Sequence, residues 1–279
     1  MIENISLVER IDEIISSDDF QLPVFSDIAL KIRNIMSSPD FDIQEVVRTI
    51  SSDQSLVSEV LRVANSPFYG GLTKIATLRE AAVRMGAKQL ADLVMVASTR
   101  NNYRASDKGV QVLLVKLWRH AVGTALASQW LAKRLGYTDL LNEALLGGLI
   151  HDIGKLAVLK VVDQLKVKEG LNFPVEFVME IVSSTHAQQG YKLALRWRLP
   201  ESYCIIVRDH HLEGVDQSNS SLLIVQVADA ACNKLGIGTH QDASIELAVL
   251  PESHALGLGE VMLAELEIML EDTMQTVAG

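Results

Sequence analysis

The spacing of apolar residues limits this chain of 279 residues to a helical fold. Apolar side chains recur at intervals of three and four residues in one segment after another, which is the pattern of an amphipathic helix. The first segment shows this spacing at Ile2, Ile5, Val8, Ile11, Ile14 and Ile15. No segment alternates between apolar and polar residues as a half-buried strand does. The sequence therefore predicts an all-α fold.

Capping residues, glycines and prolines divide this pattern into separate helices. Asp53 and Thr77 precede apolar runs as helix N-caps do, and Gly136 and Gly236 follow such runs, where helices often end. The predicted helices span residues 1–20, 26–36, 42–50, 53–64, 77–86, 87–98, 110–135, 139–151, 174–183, 185–197, 200–210, 221–235 and 259–277.

A polar segment from Asn101 to Gly109 marks the boundary between two groups of helices. It predicts an N-terminal helical lobe, residues 1–105, and a second lobe, residues 106–279, that carries the candidate site. The sequence leaves two alternatives for residues 237–279, which either belong to the second lobe or dock a partner.

Composition excludes several classes of partner. The net charge is −10 and no basic run is present, so nucleic acid is not expected as a bulk partner. No apolar run approaches the roughly 20 residues that span a bilayer, and the first residues do not resemble a signal peptide. A cytoplasmic location is therefore expected. The two cysteines, Cys204 and Cys232, stand in apolar helical segments and are expected to be buried thiols.

The segment from Leu149 to Leu156 carries the strongest chemical signal. It contains His151 directly followed by Asp152, between apolar neighbours. Adjacent helical residues point about 100° apart, so both can face one metal ion only where the helix ends. Gly154 is expected to supply the backbone freedom for this, and Lys155 places a cation where a phosphate could sit. The alternative is a His-Asp pair that only caps a helix.

Five further residues carry weaker signals of the same kind. His120 lies inside a long predicted helix, and Asp229 lies between small apolar residues where a carboxylate needs a partner. His186 stands at a predicted helix start, and His210 and His211 stand at a predicted helix end. Each has an ordinary structural alternative, namely a core histidine, a helix cap or a charge at a helix C-terminus.

Taken together, these residues predict a metal centre. One ion could be held by His120, His151, Asp152 and Asp229. A second could be held by His186, His210 and His211, with Asp152 as a bridge. Imidazole and carboxylate ligands suit divalent Fe, Mn, Ni or Zn. Such a pair of ions supplies a polarised water and a clamp for a phosphoryl oxygen, with Asp152 and Lys155 as the expected catalytic residues.

This arrangement resembles the HD superfamily of metal-dependent phosphohydrolases. Their pattern of a His, a His-Asp pair and a distant Asp corresponds here to His120, to His151-Asp152 and to Asp229. The resemblance implies a multi-helix bundle of the HD-domain type.

The other histidines are similar to the fuller ligand set of the HD-GYP cyclic-di-GMP phosphodiesterases. They are His186 and the pair His210-His211. The residue after that pair is Leu212 rather than the Glu of that family, and no Gly-Tyr-Pro signature follows.

Several separated motifs resemble the HDOD domain (HD-related output domain), over roughly residues 15–215. These motifs are Leu22-Pro23-Val24, Asp53-Gln54-Ser55-Leu56, Leu61-Arg62-Val63-Ala64-Asn65-Ser66, Ala81-Ala82-Val83-Arg84-Met85-Gly86 and Arg196-Trp197-Arg198-Leu199-Pro200. HDOD proteins are bacterial signalling modules, and many have lost metal ligands and are thought to act through protein contacts. This chain keeps the His-Asp pair and the other histidines.

Two functions from different classes follow from these observations. The favoured one is a signalling module that holds an HD-type metal site and binds a signalling protein, with a homodimer left open. The alternative is a metal-dependent phosphohydrolase or phosphodiesterase that cleaves a nucleotide-like phosphoester. Residues 215–223 contain no cationic or aromatic side chain to grip a nucleotide, which favours the first function. A site that only stabilises the fold or senses a ligand lies between the two.

Overall fold

The protein is built from α-helices, as the apolar spacing predicts. The computed structural model describes residues 6–22, 26–36, 38, 40–69, 73–214, 216 and 218–277, and no strand occurs among them. The helices are α1 (Leu7–Ser16), α2 (Asp27–Met36), α3 (Ile43–Ser51), α4 (Gln54–Ala64), α5 (Leu78–Met85), α6 (Ala87–Ser98), α7 (Lys108–Arg134), α8 (Leu141–Ile150), α9 (Ile153–Glu169), α10 (Val175–Arg196), α11 (Glu201–Asp209), α12 (Ser220–Lys234), α13 (Pro251–Ala255) and α14 (Glu260–Val277). The predicted all-α class is confirmed.

Contacts within the chain group these helices into two compact units. The first unit is Met1–Leu22 with Tyr103–Leu263, and the second is Pro23–Asn102 with Ala264–Gly279. These units differ from the predicted lobes, 1–105 and 106–279, at both chain ends. The N-terminal segment groups with residues 103–263, and the C-terminal segment groups with residues 23–102. Helix α1 joins the first unit through long-range contacts that apolar spacing does not reveal.

Two of these contacts show how α1 is held. Gln189 donates a hydrogen bond to Asp12 at 2.8 Å, across 177 residues of sequence. Arg196 donates to the carbonyl of Ile15 at 2.8 Å, which satisfies an acceptor at the end of α1.

The C-terminal helix is held in the second unit by a contact of the same kind. Arg62 of α4 donates to the carbonyl of Val277 at 2.9 Å.

The first unit is organised around α7. Every side chain of this helix from Ala121 to Gln129 is buried, as expected for a helix that has neighbours on all sides. Helix α7 packs against α8 and α12, α9 packs against α10, and α11 packs against α8, α10 and α12. A Cβ atom on Gly148 would lie 2.8 Å from the carbonyl oxygen of Thr124, so glycine allows α8 to approach α7.

Helix α9 was not predicted from the sequence. Gly154, which was expected to give backbone freedom at a helix end, instead allows two helices to pack closely. It lies inside the first turn of α9. A Cβ atom at this position would meet the carbonyl oxygen of His186 at 1.8 Å. The glycine therefore lets α9 and α10 come into backbone contact beside the candidate site.

Helix α10 is one continuous helix, although the sequence predicted two with a break near Ser184. The hydroxyl of Ser184 donates to the carbonyl of Glu180 at 2.8 Å, and that of Thr185 donates to the carbonyl of Ile181 at 2.7 Å. Both hydroxyls therefore bond back into the helix instead of capping a new one. As a result, His186 lies within a helix and not at its start.

The second unit contains α2–α6 and most of α14. Helix α4 packs against α6 and α5, and α2 packs against α3 and α6. Two predicted N-caps are confirmed, because Asp53 accepts from the Leu56 amide at 3.0 Å and Thr77 accepts from the Glu80 amide at 3.1 Å. Residues 23 and 24 of the first HDOD-like motif lie outside the described residues.

Two expectations from composition can be compared with the described residues. Cys204 and Cys232 are free and buried, which confirms their prediction as buried thiols. Among the described residues, no helix is both long enough and apolar enough to cross a membrane.

Candidate metal centre

All seven predicted histidine and aspartate ligands come together in the first unit. Helix α7 supplies His120, the α8–α9 junction His151 and Asp152, α10 His186, the end of α11 His210 and His211, and α12 Asp229. The donor atoms form two groups, and within each group they all lie within 4.8 Å of one another. The first cluster is His120, His151 and Asp229, and the second cluster is Asp152, His186, His210 and His211.

The first cluster is closed to solvent. All three side chains are buried. The Nε2 atom of His120 lies 2.9 Å from Oδ1 of Asp229 and 3.3 Å from Nε2 of His151. The His151 Nε2 atom lies 3.7 Å from the same carboxylate oxygen. Three donor atoms therefore face one small volume.

The second cluster is partly open. The Nε2 atoms of His186 and His210 lie 3.3 Å apart in a buried position. The ring of His211 lies 4.1 Å from that of His210, measured between centroids, and is exposed to solvent. One side of this cluster can therefore be reached from outside.

Asp152 lies between the clusters and presents one oxygen to each. His151 ends α8, and Asp152 at the start of α9 has a non-helical backbone (φ −99°, ψ 17°), which lets both neighbours face the centre. Oδ2 lies 3.4 Å from the Nε2 atoms of both His120 and His151. Oδ1 lies 3.5 Å from His186 and 3.3 Å from His210. The carboxylate thus lies between the two pairs of histidines, where a bridging ligand was predicted from the sequence.

The two oxygens of the buried Asp152 carboxylate differ in their partners. Lys155, one turn later on α9, places its ammonium 2.7 Å from Oδ2. Among the described residues, Oδ1 has no hydrogen-bond partner although it is buried. A buried acceptor without a partner is costly, and a cation beside Oδ1 would satisfy it.

Backbone carbonyls fix the orientation of four imidazoles. In each ring Nδ1 lies within hydrogen-bond distance of a carbonyl oxygen and is therefore assigned a proton, so that in the neutral ring Nε2 presents a lone pair to the centre. The pairs are His120 with Ile237 (2.8 Å), His151 with Gly148 (2.7 Å), His186 with Val182 (3.0 Å) and His210 with Val207 (3.0 Å).

These tautomers leave two lone pairs facing each other in each cluster. The Nε2 atoms of His120 and His151 lie 3.3 Å apart, as do those of His186 and His210. Two acceptors at this distance repel unless a metal ion or a proton lies between them. Nitrogens bound to one ion at about 2.1 Å lie about 3.0–3.4 Å apart, depending on the coordination angle. The donor set therefore fits a metal ion in each cluster.

The electrostatics of the first cluster favour a cation. Burial raises the pKa of Asp152, but Lys155 and His151 outweigh it and hold that pKa well below its usual range. Burial also raises the pKa of Asp229, which His120 and His151 hold well below its usual range. Burial lowers the pKa of His151, yet the two carboxylates raise it to about 10. Without a metal ion, the protonated His151 therefore supplies the positive charge that these two carboxylates need.

The second cluster favours neutral imidazoles. Burial lowers the pKa of His186 to about 4, against the opposing charge of Asp152. His211 is exposed on one side, and the partial burial of its ring together with the neighbouring His210 lowers its pKa to about 3. Both rings are therefore neutral at pH 7, which is the form that binds metal.

Comparison with known proteins identifies the family. The sequence profile of the HDOD domain matches residues 22–213. The chain belongs to the HDOD domain family. The resemblance drawn from separated motifs is thereby confirmed. Asp229 lies beyond the residues that match the HDOD profile.

Three relatives of this HDOD protein show the extent of the likeness. An uncharacterised protein from Treponema pallidum (strain Nichols) is 27% identical over 212 residues, which are 74% of this chain and 39% of that protein. This chain thus spans about two fifths of its relative's length. The crystal structure of an HDOD domain protein of unknown function from Geobacter sulfurreducens has a TM-score of 0.71 and 25% identity, over 97% of this chain and 96% of that one.

The third relative is a protein from Shewanella amazonensis that is provisionally named a metal-dependent phosphohydrolase. Its crystal structure has a TM-score of 0.73 and 18% identity, over 97% of this chain and 96% of that one. Identity at this level shows that the two proteins share a fold.

Two residues near the HDOD centre were not predicted from the sequence. Asn233 donates a hydrogen bond from Nδ2 to Oδ1 of Asp229 at 3.0 Å. The spacing of four residues within one predicted helix was a usable signal, because such residues share a helix face. Tyr103 is buried, and burial together with the charge of Asp152 raises its pKa. No local pattern marks this tyrosine, since packing alone brings it near the carboxylate.

Proposed function

We propose that this protein is a signalling HDOD module that holds two divalent transition-metal ions, one in each cluster. The observation that carries this proposal is the pair of Nε2–Nε2 distances of 3.3 Å, on either side of a carboxylate that turns one oxygen to each pair. The first cluster with Asp152 would hold one ion, and the second cluster would hold the other with Asp152 as a bridge.

The signalling part of the proposal is supported by family membership. HDOD domains are output modules, and the Treponema pallidum relative is much longer than the part that this chain matches. A module of this kind binds a signalling protein, and the metal centre would stabilise the form that the partner recognises. In that role the histidines hold the ions and no turnover is required.

The test of the metal centre is the metal content of untagged protein, measured by mass spectrometry. We expect about two transition-metal ions per chain, and none in Asp152→Ala, because removing the bridge takes a ligand from both clusters. Asp139→Ala is the matched control, since this carboxylate is exposed in the same unit. Full metal content in Asp152→Ala, or a metal-free wild-type protein, would overturn the proposal.

A phosphohydrolase is the second candidate function, and Lys155 favours it. Its ammonium lies beside Asp152, and the side chain keeps 16% exposure. Burial lowers the pKa of Lys155, but Asp152 and Asp229 outweigh it and raise that pKa, so the group stays charged. Bound ions would supply a polarised water and a clamp for a phosphoryl oxygen. Lys155 would then hold the phosphate oxygens from the protein side.

Turnover distinguishes the two candidates. The metal-loaded protein would be incubated with bis(p-nitrophenyl) phosphate and with cyclic dinucleotides. Lys155→Ala would be compared with Lys168→Ala, a variant at an exposed lysine of the same helix. Hydrolysis that is lost in Lys155→Ala and kept in Lys168→Ala would establish the phosphohydrolase. Full metal content without hydrolysis would leave the signalling module as the function.

A further inference from the structure

The first cluster is supported by a segment that follows α12. Asn233 lies one turn after Asp229 and donates its side-chain N–H to Oδ1 of that carboxylate at 3.0 Å. Oδ1 is the oxygen that faces His120 at 2.9 Å. The amide of Asn233 therefore fixes the rotation of the carboxylate relative to the imidazole.

The same segment fixes His120 itself. The carbonyl of Ile237, just beyond α12, accepts the Nδ1 proton of His120 at 2.8 Å, across 117 residues of sequence. Ile237 is buried, and its own amide donates to the carbonyl of Cys232 at 2.9 Å. The carbonyl is thereby held at the end of α12 and orients the ring of His120.

Gly238 lies directly against the ring of His120. Its φ angle is +140°, a conformation that other residues rarely adopt. A Cβ atom here would lie 3.0 Å from Cβ and 3.1 Å from Nδ1 of His120. A side chain would therefore push the imidazole away from the Ile237 carbonyl. Glycine at this position keeps the ring where Asp229 can meet it.

Residues 236–242, called here the 236–242 loop, are held at both ends by the backbone of Asn233. The main-chain carbonyl of Asn233 accepts from the amides of Gly236 at 3.2 Å and Asp242 at 3.0 Å. One residue thus binds the carboxylate through its side chain and the loop through its backbone. The loop and the side-chain donor both lie outside the part of the chain that matches the HDOD profile.

We propose that Asn233 and the 236–242 loop form a positioning element that sets His120 and Asp229 for metal binding in the first cluster. Asn233 and Gly238 are positioning residues, which act through the two proposed ligands. The inference rests on the proposed metal centre. Loss of such supporting interactions around a metal typically costs about 10- to 100-fold in affinity.

The test uses two variants of the full chain in a His186→Ala background, where the first cluster keeps its own ligands. Asn233→Leu removes the donor at similar volume, and Gly238→Ala introduces the Cβ atom. Titration with Co²⁺, followed by its visible absorption, should show about 10- to 100-fold weaker binding in both variants and a changed band shape. Asn233→Gln keeps an amide donor and should recover part of the affinity.

Matched controls separate positioning from loss of fold. Asn219→Leu changes an asparagine at the other end of α12, and Gly257→Ala changes a glycine at φ +67° whose Cβ atom would contact nothing within 4 Å. Both controls should bind Co²⁺ as the background protein does. Unchanged Co²⁺ affinity in Asn233→Leu and Gly238→Ala would overturn the inference and leave the proposed metal centre intact.

A measurement without metal keeps the two proposals distinguishable. Long-range ¹H–¹⁵N correlation spectra of the chelated protein report which nitrogen of His120 carries the proton. The inference expects Nδ1–H in the wild-type protein and a loss of this preference in Gly238→Ala. If the wild-type protein binds no metal but Gly238→Ala changes the tautomer, the metal proposal fails, whereas the orientation of His120 by the 236–242 loop stands. The same tautomer in both proteins would overturn the positioning role.

Discussion

The two clusters of the centre contain similar ligands in different surroundings. The first has three buried donors that Asn233 and backbone carbonyls orient, whereas the second ends in the exposed ring of His211. Closed coordination is typical of structural metal sites, and an open position is typical of sites that exchange ligands. The comparison indicates that an ion in the first cluster would hold the fold together, and that an ion in the second would face incoming molecules.

Asp152 makes the two clusters dependent on each other. Its Oδ1 and Oδ2 atoms face different histidine pairs, so that one rotation of the carboxylate changes both. Lys155 restrains that rotation from the Oδ2 side. The clusters should therefore differ in how tightly they bind metal and still respond together to changes at Asp152.

The largest expected effect is on the metal affinity of the first cluster, from a substitution at Asp229. Asp229→Asn keeps the shape of the side chain and removes the charge that faces His120 and His151. We expect metal affinity of the first cluster to fall about 100-fold or more, or about 3 kcal/mol. Competition with a chelator, read by mass spectrometry, should then show one tightly bound ion per chain instead of two. Loss of both ions in equal measure would contradict the separation of the clusters.

A smaller effect on metal affinity is expected in the second cluster, from a substitution at the exposed His211. His211→Gln removes an exposed ligand, while His186, His210 and Asp152 remain in the second cluster. Affinity of that cluster should fall about tenfold, or about 1.4 kcal/mol, because solvent can replace the lost nitrogen. Exchange of this ion into a chelator should become faster, and the first ion should stay. His254→Gln is a matched control, since this histidine is exposed on α13.

The clusters should also differ in their dependence on pH. An ion in the first cluster must displace the proton of His151, whose pKa is raised to about 10, so its affinity should increase up to about tenfold per pH unit below pH 10. His186 and His211, with pKa values lowered to about 4 and about 3, carry no proton near neutral pH, so the second cluster should show no such slope. Isothermal titration in buffers of different ionisation enthalpy counts the protons released.

The same groups set the stability of the metal-free protein. The pKa of His151 is raised, so its contribution is fully present below pH 6.5 and is lost as the pH rises through about 10. The pKa of His186 is lowered, so its contribution is present above pH 6.5 and is lost as the pH falls through about 4. Urea unfolding of chelated protein should therefore be most resistant near pH 6.5. A flat stability curve between these limits would contradict both assignments.

The smallest effect on the centre is expected from the second compact unit. Arg62 pairs with the buried carboxylate of Glu59 and donates to the carbonyl of Val277. Arg62→Met should lower the free energy of unfolding by about 1–3 kcal/mol, because it leaves a carbonyl and a buried charge less well compensated. Metal content should not change. Loss of metal in Arg62→Met would show that the clusters depend on a unit that contains none of their ligands.

The helical class and the set of candidate ligands could be named from the sequence, since both rest on local patterns. Apolar spacing depends on neighbouring residues, and a buried His or Asp needs a partner wherever it lies. Errors occurred where long-range contacts override local signals. Ser184 and Thr185 predicted a break between two helices, yet their hydroxyls donate hydrogen bonds to carbonyls of the preceding turn of α10. Gly154 was expected to supply backbone freedom at a helix end, yet it permits a close backbone contact with His186.

Local patterns in the sequence were enough to name the helical fold, the seven candidate ligands and the His-Asp pair at a helix end. Packing between distant segments sets which ligands share a cluster, which way four of the imidazoles point, and how Asn233 and Gly238 contact the first cluster. The difference lies in the range of the interactions involved. Helix periods and caps act over a few residues, whereas the carbonyl that orients His120 comes from Ile237, 117 residues away. Packing of α7, α8 and α12 creates that proximity, and no local pattern encodes it.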